Sequence, residues 1–383
     1  MKKLNVPAYI MRTKWFLFLM LSIFLIIFGR MVETPSLSKS AVVLGLGIDY
    51  DESASRFEIS AQSVLVGSSS GDTSGTSYIC MSASGNTIAG AMDSIARKMG
   101  LIISLSHCNV VFMSKSAFKL DHMQLIYPLT GMYALPEQTI IVTGDKSPAE
   151  MLSLRIGTTI SSPFFLQQAL VNEEGSDGMI RTTAKDFLAR SLSRSKANVV
   201  PYIVATPASP PLAQTSVDDN VFELDISRAM VFDKYESYIL ENEYAEILAI
   251  YHSHDVTGTL NYVASDGGSI EFKILKKNVK IKANRRHIVA TVNLSADLAD
   301  IQKIPSDKVI TTADEIVKRY AAALAKDIEK RLVEMYELSK QINIDFLSLQ
   351  SKAYQSVGHT LEENCLDTLT FTPKVTVSVR ESG

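Results

Sequence analysis

The sequence predicts an α+β protein: a single N-terminal transmembrane helix, then two exported mixed α/β domains with mostly antiparallel sheets. Three observations carry that reading. Residues 15–28, WFLFLMLSIFLIIF, include only Ser22 as a polar residue. Roughly 350 residues follow, too many for one compact core and enough for two. A proline-rich run, Thr206 to Pro211 (TPASPP), punctuates them near the middle.

At ~1.5 Å per residue the apolar run covers roughly 21 Å of a ~30 Å hydrocarbon layer. Gly29, Met31 and Val32, with Lys14 and Arg30 snorkelling to the interfaces, extend it to a span over 15–32. The same length suits a secretory signal. No A-x-A-type site follows the run, however, and the first cysteine, Cys80, comes too late for a lipoprotein signal. The segment reads as an uncleaved signal-anchor in contact with the lipid bilayer. Lys2, Lys3, Arg12 and Lys14 precede it, against Arg30 and Lys39 after it. That asymmetry holds residues 1–14 in the cytoplasm and puts the bulk, beyond a tether over 33–40, on the outer side.

A net charge of −3 and a pI near 6.1 give no basis for nucleic-acid binding. Cys80, Cys108 and Cys365 are odd in number and far apart, so they build neither a disulfide framework nor a CxxC metal knuckle. Buried free thiols are the expectation, with a Cys80–Cys108 bridge as the alternative.

Past the tether, residues 41–51 (AVVLGLGIDYD) read as a buried strand. Residues 57–66 (FEISAQSVLV) alternate at period two and complete a hairpin. The stretch 67–77, GSSSGDTSGTS, is a loop with nothing to bury. A strand over 78–83 precedes a helix carrying Ile88, Met92, Ile95 and Met99, with Ser84 as its cap and Gly100 as its stop. Residues 101–112 form a strand broken near Ser104 to His107. A helix follows over 116–127 and a strand over 138–143. Ser147-Pro148-Ala149-Glu150 is a capping box with proline at the first helical position. Helices over 161–173 and 183–193 lead to a strand at 199–205. The boundary falls just beyond TPASPP, giving domains 41–212 and 213–383.

The second domain opens with a strand at 222–232 and a helix at 241–251. Strands at 255–264, 268–283 and 286–294 come next. A long helix from Thr311 or Thr312 then aligns Ile316, Tyr320, Leu324, Ile328, Leu332 and Met335 on one stripe. A helix near 344–356 and a strand over 369–379 close the chain.

This order of elements resembles the Ger(x)C family, the C subunits of bacterial spore germinant receptors. The opening strand Ala41 to Asp49, His107 before an apolar run, Leu125 to Leu152 before the capping box and Val199-Val200-Pro201 carry the likeness in the first half. Arg228 to Asp233 and Ile344-Asp345-Phe346-Leu347 carry it in the second. The resemblance implies a non-enzymatic subunit of a nutrient receptor, working in spore germination with integral-membrane receptor subunits as partners. Two departures stand out. The family is normally anchored by lipid on an N-terminal cysteine, and here a transmembrane segment takes that place. The family's tryptophan-bearing stretch reads Ser356-Val357-Gly358-His359-Thr360 in this chain, whose one tryptophan is Trp15.

The residues themselves supply few chemical candidates. His252-Ser253-His254-Asp255 suits zinc or iron by donor type, but no HExxH helix or distant third ligand accompanies it. It underlies the competing reading, an exported metal-dependent hydrolase or ligand-binding protein; polar residues at an element junction explain it as well. His107-Cys108 cannot form a dyad with itself, because neighbours on a strand face opposite ways. Lys273 to His287 carries Lys273, Lys276, Lys277, Lys280, Lys282, Arg285 and Arg286. It reads as the solvated face of an edge strand or as a contact for anionic headgroups or an acidic partner loop. No catalytic, cofactor-binding or metal residue is assigned, and no cofactor.

Overall fold

The computed structural model describes residues 15–25, 40–64, 78–156, 160–171, 179–208, 221–252, 258–263, 268–302, 313–357 and 365–380. Chain contacts divide it into two units, Met1–Ser40 and Ala41–Gly383.

In the first unit, residues 15–25 form helix α1 with apolar side chains exposed all round, Trp15 at 71% and Phe18 at 66%. Eleven helical residues rise only about 16 Å. Among the described residues no helix is long and apolar enough to cross a membrane. The predicted span over 15–32 is therefore not shown by the structure, and its second half, 26–32, lies outside the described residues.

The second unit is α+β and contains two sheets. The hairpin β1 (Ser40–Asp51) and β2 (Arg56–Val64) pairs antiparallel, and β3 (Tyr78–Gly85) adds to β2. The centre departs from the expected antiparallel order. Strands β5 (Val110–Met113), β6 (Ile140–Gly144) and β9 (Asn198–Pro207) lie parallel beside β1, in the order β1-β5-β6-β9. Their sequences explain it: VVFM and IIVT are both buried throughout, the signature of strands covered on both faces. Helical crossovers supply that cover. On one face pack α2 (Ile88–Met99), α4 (His122–Met132) and α7 (Ala184–Ser191); on the other pack α5 (Pro148–Ser153) and α6 (Ser162–Val171). Short strands β4 (Ile102–Ser104), β7 (Arg155–Ile156) and β8 (Ile160–Ser161) border this sheet.

Two glycines of the GLG run set how close the second layer comes. A Cβ on Gly47 would lie 2.9 Å from Pro148 Cβ, and one on Gly45 would overlap Pro163 and Leu152. Proline at the start of α5 and of α6 therefore packs directly against the β1 backbone. The Ser147–Glu150 capping box is present as read. Ser84, by contrast, lies in β3, and Thr87 caps α2 by accepting from Gly90 N. The helix expected over 116–127 is two pieces, α3 (Lys115–Phe118) and α4, because Asp121 offers a second N-cap between them.

Strand β10 (Val221–Phe232) pairs antiparallel with β9, and β11 (Ser237–Leu240) pairs with β10, so the first sheet continues into the second half of the sequence. The connection carrying the expected boundary, 209–220, lies outside the described residues, as does the loop 67–77. After α8 (Asn242–His252) comes a four-stranded sheet in the order β12 (Gly258–Val263), β13 (Ser269–Asn284), β14 (His287–Gln302), β15 (Thr370–Val379). Its last pair is parallel, because the long helix α9 (Ala313–Gln341) and α10 (Leu349–Val357) cross between β14 and β15. The α9 stripe is buried at Tyr320, Leu324, Ile328, Leu332 and Met335, where it covers this sheet.

Candidate functional site

A buried polar cluster forms around the loop Ile344-Asp345-Phe346-Leu347, between α9 and α10. Asn343 (φ 54°) and Ser348 (φ 58°) bracket it in the left-handed region. Asn adopts that conformation readily and Ser less so. Asp345, 2% exposed, thereby turns inward. Its Oδ1 accepts from Leu349 N (2.8 Å) and its Oδ2 from Gln350 N (2.7 Å), which caps α10. Ser195 Oγ, from the turn between α7 and β9, donates to the same Oδ2 at 2.5 Å. Ser351 completes the junction: its Oγ lies 2.9 Å from Ser195 Oγ and accepts from Ser195 N at 3.0 Å. Burial pushes the Asp345 carboxyl up to about 6 despite these three bonds.

The other side of the loop is held by α8. His252 Nε2 donates to Phe346 O (2.6 Å), and Tyr251 OH donates to Leu347 O (3.2 Å). Lys277 Nζ from β13 donates to Ile250 O (2.5 Å), satisfying a carbonyl at the C-terminal end of α8. Burial, with the Arg190 and Lys277 charges nearby, pushes His252 down to about 3, so the ring is neutral.

In this cluster every donor and acceptor named above is spent on another part of the chain. Ser195 faces Asp345 as a nucleophile faces its orienting acid, but its hydroxyl is committed to that carboxylate. His252 Nε2 carries the ring proton and donates it to a backbone carbonyl, which fixes the tautomer and anchors the ring to the loop. What the arrangement does is fasten the α7–β9 turn, α8 and α10 to one loop, with β13 tied to α8 through Lys277.

The structure separates the other sequence candidates. His252 is the last residue of α8, and Ser253, His254 and Asp255 are outside the described residues. Among the described residues no group of three or more His, Cys, Asp or Glu side chains could hold a metal. His107 is exposed in a turn, while Cys108 is buried and donates to Val110 O at 3.5 Å. Burial pushes its thiol up to about 12. All three cysteines are free; Cys80 is exposed, against the expectation of a buried thiol. Lys276, Lys280 and Lys282 alternate with half-buried Lys277, Val279 and Ile281 along β13. Beyond Ile274 this strand has no neighbour on its outer side among the described residues.

Sequence reasoning missed Ser195 and Ser351 altogether. They are ordinary polar residues, in a turn and on a helix, and only the tertiary approach of segments about 150 positions apart gives them a role.

The family comparisons bear on this same body. A model described as "Spore germination protein N-terminal domain" matches residues 35–205. A second, "Spore germination B3/ GerAC like, C-terminal", matches residues 227–383. The chain belongs to the Ger(x)C family of spore germinant-receptor C subunits. Among solved structures, "Crystal Structure of the GerBC protein" is similar at 13% identity and a TM-score of 0.49, covering 89% of this chain and 99% of that one. No curated protein sequence matches. The fastening loop, Ile344 to Leu347, lies inside the C-terminal match, and Ser195 lies inside the N-terminal one.

Proposed function

We propose that this Ger(x)C chain is a non-enzymatic, membrane-tethered subunit of a nutrient germinant receptor that acts by contact with integral-membrane partner subunits. The observation that carries the reading is the pair of family matches, which together take in nearly the whole body. The polar junction supports it, because Ser195, Asp345 and Ser351 hold chain to chain. Tethering concentrates such a subunit in a thin layer at the membrane, which raises its effective concentration toward its partners. Residues 15–32 serve as the anchor, with 1–14 in the cytoplasm and the bulk on the outer side of the cell membrane or spore inner membrane. The body divides into 41–212 and 213–383, the second part lending β10 and β11 to the first part's sheet.

Spores supply the test. Replacing residues 1–32 with a cleavable export signal should strongly slow nutrient-triggered germination while the body is still made and folded. Normal germination with the untethered body would overturn the tether. Normal germination on deleting the whole chain would overturn the receptor role.

A further inference from the structure

The four-stranded sheet ends at β15, and the two halves of that strand treat their outer edge differently. Arg380 N donates inward to Ala296 O of β14 at 3.1 Å. Main-chain groups alternate along a strand, so positions 374, 376, 378 and 380 face β14, and 373, 375, 377 and 379 face outward. The first two outward positions are blocked. Pro373 has no N–H to offer, and Val375 N is taken by Glu329 Oε1 of α9 at 2.8 Å. The next two, Val377 and Val379, have no partner for their N–H among the described residues. Beside them lies a cleft of about 510 Å³, floored by Ala321, Ala322 and Ala325 of α9 and rimmed by Lys318, Lys326 and Glu329, whose carboxylate is the one that holds Val375 N. Small side chains on α9 are what leave this space open. Lys326 is exposed and makes no ion pair among the described residues.

Folded proteins generally blunt an exposed strand edge, and among the described residues this one is blunted only over its first half. We propose that the open half of β15 is a strand-addition site: an extended segment of an integral-membrane partner subunit pairs with Val377 and Val379. Main-chain bonds supply affinity, and a side chain in the alanine-floored cleft supplies selectivity. A carboxylate on the segment suits Lys326, whereas a second copy of this chain would bring another basic rim against it. The inference rests on the receptor-subunit reading and names the surface through which it works.

Photo-crosslinking in spores tests it. A benzophenone amino acid at Lys318, an exposed position on the rim of the cleft, should join the full-length chain to an integral-membrane subunit on illumination. Val377→Pro repeats at an outward position what Pro373 already does, so the sheet should tolerate it. One lost main-chain bond plus the ring's obstruction should cut that adduct about tenfold. Ala322→Tyr, which fills the cleft without touching the strand, should slow germination while thermal melting stays unchanged. The proposal is overturned if the Lys318 adduct is with a second copy of this chain, or if the Val377→Pro adduct persists at full yield. It is also overturned if Lys318 captures nothing while the same group at exposed Lys280 captures a receptor subunit; that outcome leaves the subunit reading standing. Capture of no subunit from any exposed position overturns both.

Discussion

Ser195 Oγ donates to Asp345 Oδ2 at 2.5 Å, joining residues 150 positions apart across the two family-matched segments. The bond is one of three on that carboxylate, and the other two start a helix. Removing the carboxylate strands two buried N–H groups, each costing ~1–3 kcal/mol when left unpaired, and leaves Ser195 Oγ with Ser351 as its remaining partner. Asp345→Ala should therefore destabilise the chain by roughly 3 kcal/mol or more. Asp345→Asn keeps one carbonyl acceptor and should cost less than half as much. Thermal melting of the purified full-length chain checks both; equal losses would mean the carboxylate caps nothing.

The same junction has a pH signature with two opposing parts. His252 is pushed down to about 3 from an ordinary 6.5, so the unfolded chain takes up its proton first. Its contribution is fully present above about 6.5 and is lost as pH falls toward 3. Burial also lowers His122, which adds in the same sense. Asp345 runs the other way: raised to about 6 from 3.8, it favours the folded state at low pH and loses that contribution as pH rises from about 4 to 6. His252→Gln should flatten the acid loss of melting temperature below pH 6.5. Asp345→Asn should steepen it between about pH 4 and 6. If both variants shift the profile in the same direction, the assignment is wrong.

Much of the fold could be read directly from residue patterns. The capping box at Ser147, the stop at Gly100 and the α9 stripe are local chemistry, and each lies where spacing placed it. The parallel centre of the first sheet was harder to read. VVFM and IIVT are short apolar runs whose period does not reveal the direction of a neighbouring strand. Ser84 and Thr87 compete for one helix start, and β3 runs on through Gly85, which decides it. The polar junction was legible only as the Ile344–Leu347 resemblance. Its chemistry depends on Ser195, whose sequence context carries no motif.

Gly45 and Gly47 are read as packing residues. A methyl on Gly45 meets Pro163 and Leu152, and one on Gly47 meets the Pro148 side chain and backbone. Overpacking of this kind costs ~1–3 kcal/mol. Gly45→Ala should lower the melting temperature more than Gly47→Ala, because more atoms must move. A pairing of Gly45→Ala with Pro163→Ala should recover part of the loss. Additive losses in the double variant would rule out direct contact.

Limited proteolysis probes the join between β9 and β10. TPASPP and the polar residues after it favour cleavage between about 207 and 221. The two strands flanking that site pair over most of their length, from Phe222–Pro207 to Phe232–Asn198. A chain nicked there should still migrate as one species under native conditions and separate into two only on denaturation. Prompt dissociation of the fragments would show that the β9–β10 ladder contributes little to holding the parts together.

Substitution and chelation separate the fastening role of His252 from the metal reading of the HSHD run. His252 has one ring nitrogen bonded to Phe346 O, and its neutral form suits that site rather than a solvent-facing one. His252→Ala should remove a buried bond and leave a gap, costing roughly 2 kcal/mol. His254→Ala with Asp255→Ala, which leaves that bond in place, should keep both melting temperature and germination at wild-type values. A chelator such as EDTA should likewise leave the melting curve of the full-length chain unshifted, since among the described residues no group of three or more His, Cys, Asp or Glu side chains could hold a metal. If the chelator lowers the melting temperature, and the His254/Asp255 double variant abolishes that effect, the run is a metal site and the contact-only reading fails.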